Sequence, residues 1–167
     1  MILPDVLGPG LAAVFCGTAA GRASKEQRAY YAKPGNKFWP ALHDAGITSH
    51  RLAPAEYRQL LGFACGLTDV CKTSYGNDDQ ITMVAGDRHR LLRKIRRWSP
   101  RIVAFTSKTA AAAVLDCRTG DIAYGLQDVS VGATALFVLP SPSGQAGSYW
   151  NPEPWRELGV RVREWRR

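Results

Sequence analysis

Three short apolar runs punctuate the chain: residues 11–16 (LAAVFC), 101–105 (RIVAF) and 134–139 (TALFVL). Each is brief, rich in β-branched or aromatic side chains, and followed by a polar or Gly-bearing stretch, the pattern of a strand buried on both faces. Between them the apolar spacing becomes helical. Residues 36–45, 54–61 with Pro54 at the start, 87–98 with Leu91, Leu92 and Ile95 on one face, the Ala-rich 108–115, and 151–165 are expected helices. Strands alternating with helices predict an α/β fold, a three-layer αβα sandwich with a mainly parallel central sheet. No internal repeat or linker interrupts the pattern, so residues 1–167 are expected to form one domain.

That architecture has a consequence for function. Open parallel sheets bind ligands beyond the carboxyl ends of their strands. Three loops thereby become candidates: residues 17–24, 106–108 and 140–148.

Charge narrows the class of ligand. Twenty-two Lys and Arg against 14 Asp and Glu give a formal charge of +8, which favours a polyanionic partner but says nothing of chemistry. Arg88, Arg90, Arg93, Lys94, Arg96, Arg97 and Arg101 cluster in and beside one expected helix; they read as a solvated face adding non-specific phosphate attraction. No stretch reaches the roughly 18 apolar residues of a membrane span, and Pro4 and Pro9 break the opening apolar stretch, so a cytoplasmic monomer with no membrane partner is expected. Cys16, Cys65, Cys71 and Cys117 show no CxxC pair and no zinc-finger spacing to His, so neither a metal nor another cofactor is expected.

Four segments then carry a resemblance. Residues 15–24 (FCGTAAGRAS) place a Gly-bounded loop directly after the first strand. Residues 31–39 (YAKPGNKFW) join an aromatic, a Pro, an Asn and a Phe-Trp pair. Residues 65–69 (CGLTD) and 139–144 (LPSPSG) follow in order. Together they resemble the uracil-DNA glycosylase superfamily, and most of all the mismatch-specific uracil/thymine glycosylases, over most of the chain. The resemblance implies an enzyme that flips a base out of DNA, because a stacked base is out of reach, and hydrolyses its glycosidic bond to leave an abasic site. The expected partner is uracil-containing DNA. By position, Gly17, Thr18, Ala19, Tyr31 and Ser141 would bind the base, Tyr31 by stacking. Ser24, Ser143 and Gly144 would hold flanking phosphates, and Gln145 would fill the space left by the flipped nucleotide. Phe38 and Trp39 read as packing, and His43, His50 and His89 match no motif.

One departure bears directly on catalysis. Relatives place Asn, Asp or Glu in the first motif to orient or activate water, where this chain has Thr18 and Ala19; the second motif opens on Ser141 in place of Asn or His. Asp69 is the leading replacement, a carboxylate able to position water or stabilise an oxocarbenium-like cation. Asn77, Asp78 and Asp79 follow closely, and the unactivated hydroxyl of Thr18 is a weak water holder. Lys72 and Lys108 are the available amines should the sugar be attacked covalently. Two other readings stay open: an inactive relative that binds abasic or mismatched DNA, and a small-molecule enzyme that uses the Gly-rich loop for a free nucleotide.

Overall fold

The structure, a computed structural model, describes residues 1–166. Five strands form one sheet in the order β2-β1-β3-β5-β4. They are β1 (Ala13–Gly17), β2 (Cys65–Asp69), β3 (Ile102–Phe105), β4 (Gly125–Val131) and β5 (Thr134–Val138). All neighbours are parallel except β4, which runs antiparallel to β5 at one edge. The helices are α1 (Arg22–Gln27), α2 (Phe38–Asp44), α3 (Ala85–Trp98), α4 (Lys108–Leu115) and α5 (Glu153–Trp165), with a 3-10 segment over Pro54–Phe63. The expected three-layer sandwich with a mainly parallel sheet is what is found.

The three apolar runs became β1, β3 and β5, each shifted or trimmed by one or two residues. Sequence reading missed two strands. β2 carries Gly66 and Asp69 in five residues, two types that β-propensity disfavours; it pairs because β1 and a returning N-terminal segment enclose it. Val6 and Leu67 exchange backbone hydrogen bonds of 2.9 Å each way, and a Cβ on Gly66 would run into the Val6 carbonyl. β4 is mostly exposed, Leu126 and Val129 included, an edge strand without the continuous apolar run of β1, β3 and β5. One helical and one loop reading also shift: the expected helix 54–61 is part of a 3-10 segment, and the expected loop 17–24 already turns into α1 at Arg22.

Side chains alternate across the sheet and build two unlike layers. Phe15, Leu67, Ala104 and Phe137 face α2 and α5, where they meet Phe38, Trp39 and Trp155. Val14, Cys16, Val103, Leu136 and Val138 face Leu91 and Ile95 of α3 and the alanines of α4. The aromatic layer also serves the loops. Each buried indole must satisfy its N–H: Trp155 donates to the Pro140 carbonyl (3.1 Å) and Trp39 to the Tyr30 carbonyl (3.0 Å). Core packing thus anchors the start of the 140–148 loop and the residue just before the 31–39 segment.

Candidate functional site

The strand order reverses direction between β1 and β3, the place where parallel sheets open a crevice. A cleft of about 730 Å³ lies there, beyond the carboxyl ends of β1, β2 and β3. Its floor is formed by Gly17, Asp69 and Thr106, one wall by Tyr31, and its rim by the loops around Asn77 and Ser143. Among the sequence candidates, Gly17, Thr18, Ala19, Ser24, Tyr31, Asp69, Asn77, Ser141, Ser143 and Gln145 all border this one cleft. Gly144 is exposed in the same rim loop, 3.5 Å from the Gly35 carbonyl measured from the position of a Cβ.

Gly17 is glycine for lack of room. A Cβ there would stand 2.9 Å from Asp69 Oδ1, 3.2 Å from the Tyr31 hydroxyl and 3.4 Å from Thr106 Oγ1. Three polar atoms from three elements therefore converge in front of its backbone. The Tyr31 and Thr106 hydroxyls are hydrogen-bonded at 3.0 Å. Burial, followed by the Asp69 charge, drives the Tyr31 hydroxyl pKa well above the ordinary tyrosine range. That group stays neutral and can donate.

Tyr31 has a left-handed backbone (φ 53°), a conformation that costs a side-chain-bearing residue about 1 kcal/mol. Two contacts hold it. Its ring stacks on Phe38 at 3.8 Å between centroids and 13° between planes, and the next residue, Ala32, donates its N–H to the buried Ser24 hydroxyl (3.2 Å). Ser24 therefore braces the Tyr31 turn from beneath, with its hydroxyl engaged. The Phe38 side of the ring is covered, and Tyr31 lines the cleft.

Asp69 closes β2 and is 5% exposed. Burial raises its pKa most, with Asp5 adding to the rise, and Lys72 and Lys94 oppose it; the net result is a carboxyl pushed up to about 6. It is mostly ionised at neutral pH yet basic enough to take a proton, the range a general base requires. Asp69 Oδ2 lies 3.7 Å from Lys72 Nζ, and Oδ1 is the atom nearest Gly17. One oxygen is held from behind and the other faces the floor.

The remaining candidates occupy other places. Thr18 is buried, with its hydroxyl 3.5 Å from that of Ser107. Asn77 is exposed at the rim and begins a short 3-10 turn. Ser141 and Ser143 shape the rim loop itself: the Ser141 hydroxyl accepts from Ser143 N–H and the Ser143 hydroxyl from Gln145 N–H, both at 3.2 Å. Lys72 does not line the cleft; its ammonium is held by Asp5 and the Tyr30 hydroxyl. Lys108 does line it, at the rim over the Tyr124 ring.

Sequence reasoning missed Thr106 as an individual residue, and missed Asp5 and Lys94 as partners of the Asp69 neighbourhood. Asp5 and Lys94 reach it from far along the chain and carry no local signal. The α3 arginines do not border the cleft; Arg22, Lys33 and Lys108 do. Cys16, Cys65 and Cys71 are buried and Cys117 is exposed. Among the described residues, no group of three His, Cys, Asp or Glu stands together as metal ligands, and no helix is long and apolar enough to cross a membrane.

With this geometry in place, comparison with known proteins adds two findings. The uracil DNA glycosylase superfamily model matches residues 4–158. The solution NMR structure of a candidate uracil DNA glycosylase from Methanosarcina acetivorans superposes with a TM-score of 0.62 at 20% identity, covering 99% of this chain and 97% of that one.

Proposed function

The chain belongs to the uracil DNA glycosylase superfamily, and we propose that within it the protein hydrolyses the N-glycosidic bond of uracil in DNA, leaving an abasic site, by a monofunctional route that uses Asp69. The observation that carries this reading is Asp69 itself. A buried carboxylate stands at the floor of the cleft, with Oδ1 and the Tyr31 and Thr106 hydroxyls all within 3.4 Å of where a Gly17 Cβ would stand, in a chain whose first motif offers only Thr18 and Ala19 in the place of the usual water-activating group.

The chemistry follows from that placement. The flipped base enters the cleft and stacks on the face of Tyr31 opposite Phe38, with backbone around Gly17, Thr18 and Ala19 reading its edges and Ser141 nearby. As the bond to the sugar C1′ lengthens, positive charge builds on the sugar and negative charge on the base. The Asp69 carboxylate stabilises the first and accepts a proton from the water that attacks C1′. Peptide groups can donate to the second, and so can whichever of the Tyr31 and Thr106 hydroxyls accepts, and does not donate, in the bond between them. Ser143, Gly144 and Gln145 on the rim meet the DNA strand, with Arg22, Lys33 and Lys108 supplying phosphate attraction.

The test is a single-turnover reaction of excess protein with labelled duplexes bearing one uracil opposite guanine or adenine, then alkali. Breaks that appear only after alkali support a monofunctional glycosylase. Breaks before alkali would reassign the chemistry to a lysine. Intact DNA, together with tight binding to an abasic duplex, would replace the enzyme by a lesion-binding protein.

A further inference from the structure

Behind Asp69 lies a set of charges that the cleft never touches. Lys72 Nζ stands 3.1 Å from Asp5 Oδ1 and 3.7 Å from Asp69 Oδ2. Asp5 Oδ2 is 2.7 Å from Lys94 Nζ on α3, and Asp5 Oδ1 also accepts the Thr68 hydroxyl at 2.8 Å. The side chains are largely withdrawn from water: 11% exposed for Lys72, 18% for Asp5 and 28% for Lys94. The order Lys94, Asp5, Lys72, Asp69 is an alternating chain of four charges from the N-terminal segment, β2 and its following loop, and α3.

Such an arrangement costs desolvation for every member and is not justified by stability alone, since apolar residues of similar volume commonly do as well. Its geometry points to another use. Lys72 grips one carboxylate oxygen of Asp69, which turns the other towards Gly17; Asp5 in turn shares the Lys72 charge, so that Lys72 cannot neutralise Asp69 outright; and Lys94 offsets Asp5.

We propose that Asp5, Lys72 and Lys94 are positioning residues that act as a buried relay, orienting Asp69 and setting its protonation from behind the cleft. The inference rests on the reading of Asp69 as the water-activating carboxylate. The sign of each contribution follows from charge. Asp5 raises the Asp69 pKa, and Lys72 and Lys94 lower it. The other titratable groups coupled to Asp69 are Cys16 of β1 and the phenols of Tyr30 and Tyr31, and burial keeps all three neutral over the range where Asp69 titrates.

Two substitutions outside the cleft should therefore move one titration in opposite directions. Asp5→Asn removes a negative charge and shifts the acidic limb of the single-turnover pH–rate profile to lower pH, by about half a unit to one unit. Lys94→Met removes a positive charge and shifts it upward by a similar or smaller amount. The same shifts should appear in the carboxyl ¹³C titration of Asp69, followed by NMR without any substrate. A purely structural role would lower the melting temperature and leave both readouts where they are in the wild type, and that result overturns the relay. If Asp5→Asn does not fold, Lys94→Met, at the most exposed member, carries the test alone. Wild-type protein that leaves uracil in place overturns the functional reading, while the NMR titration still decides the relay.

Discussion

The floor and the rim of the cleft are built on different principles. At the floor and the wall beside it, Asp69, Thr106 and Tyr31 are held by strand ends, a stacked aromatic pair and a buried ion chain. At the rim, a short 3-10 segment over Gly144–Tyr149 is capped by the Ser143 hydroxyl, with Ser141 bracing the turn before it and Gln145 and Tyr149 exposed. A rigid, desolvated floor suits a group that must carry a defined charge at a defined place. A hydrated rim of small polar residues suits contact with a backbone that varies little with sequence. Damage to the floor should therefore slow the chemistry and spare binding, while damage to the rim should do the reverse.

Asp69→Asn gives the sharpest separation. It keeps the shape of the floor and removes the proton acceptor, so the single-turnover rate should fall by about 10²-fold or more, while binding to an abasic duplex, measured by fluorescence anisotropy, stays within about twofold. Equal loss of both would erase the distinction. Gly17→Ala should come next. The added methyl presses on Asp69 Oδ1, the Tyr31 hydroxyl and Thr106, and a displacement of this kind is expected to cost about 10-fold or more in rate.

The pH dependence follows from the same carboxylate. With a pKa pushed up to about 6, Asp69 is ionised above that value, and the wild-type rate should decline as pH falls through it, with a flat profile for Asp69→Asn. The linkage to stability has the opposite sense. A carboxyl whose folded pKa is raised favours the protonated folded protein, so its contribution is lost as pH rises from about 4 to about 6. Melting temperatures across that window should therefore rise less steeply towards neutral pH in the wild type than in Asp69→Asn.

The smallest effects belong to the rim. Ser143→Ala and Gln145→Ala should each weaken duplex binding by a few-fold, roughly 1 kcal/mol or less for a hydrogen bond in water, with the saturating single-turnover rate unchanged. Lys33→Ala or Lys108→Ala should reduce the salt dependence of binding by about one counterion each; a slope equal to that of the wild type would remove these two lysines from the DNA path.

Much of the site was legible before the fold was known, because loops after parallel strands are where ligands bind and the Gly-bounded, Tyr31-bearing and Ser-Pro-Ser-Gly segments lie in order along the chain. Ten candidates line one cleft. Ser24 shows the limit of that reading: a serine in the right loop was expected to face a phosphate, and the order of residues did not reveal that its hydroxyl also accepts from Ala32 N–H and braces the Tyr31 turn. Nor did the basic helix announce its division of labour, with Lys94 turned inwards to Asp5 and its arginines on the outer face.

By itself the sequence determined what periodicity and local chemistry can encode: three core strands, the helical segments, the class of fold, and Asp69 as a carboxylate in a chain that lacks one in its first motif. Only the tertiary structure decided that β2 is a strand, since its pairing with β1 and the Val6 segment overrides a weak propensity. The same folding brought Asp5 to Lys72 and to Lys94, and Thr106 to Tyr31. These contacts join residues 67 to 89 positions apart, and the charge on Asp69 depends on those made by Asp5, Lys72 and Lys94, because electrostatic energy is set by distance and burial in space and not by order along the chain.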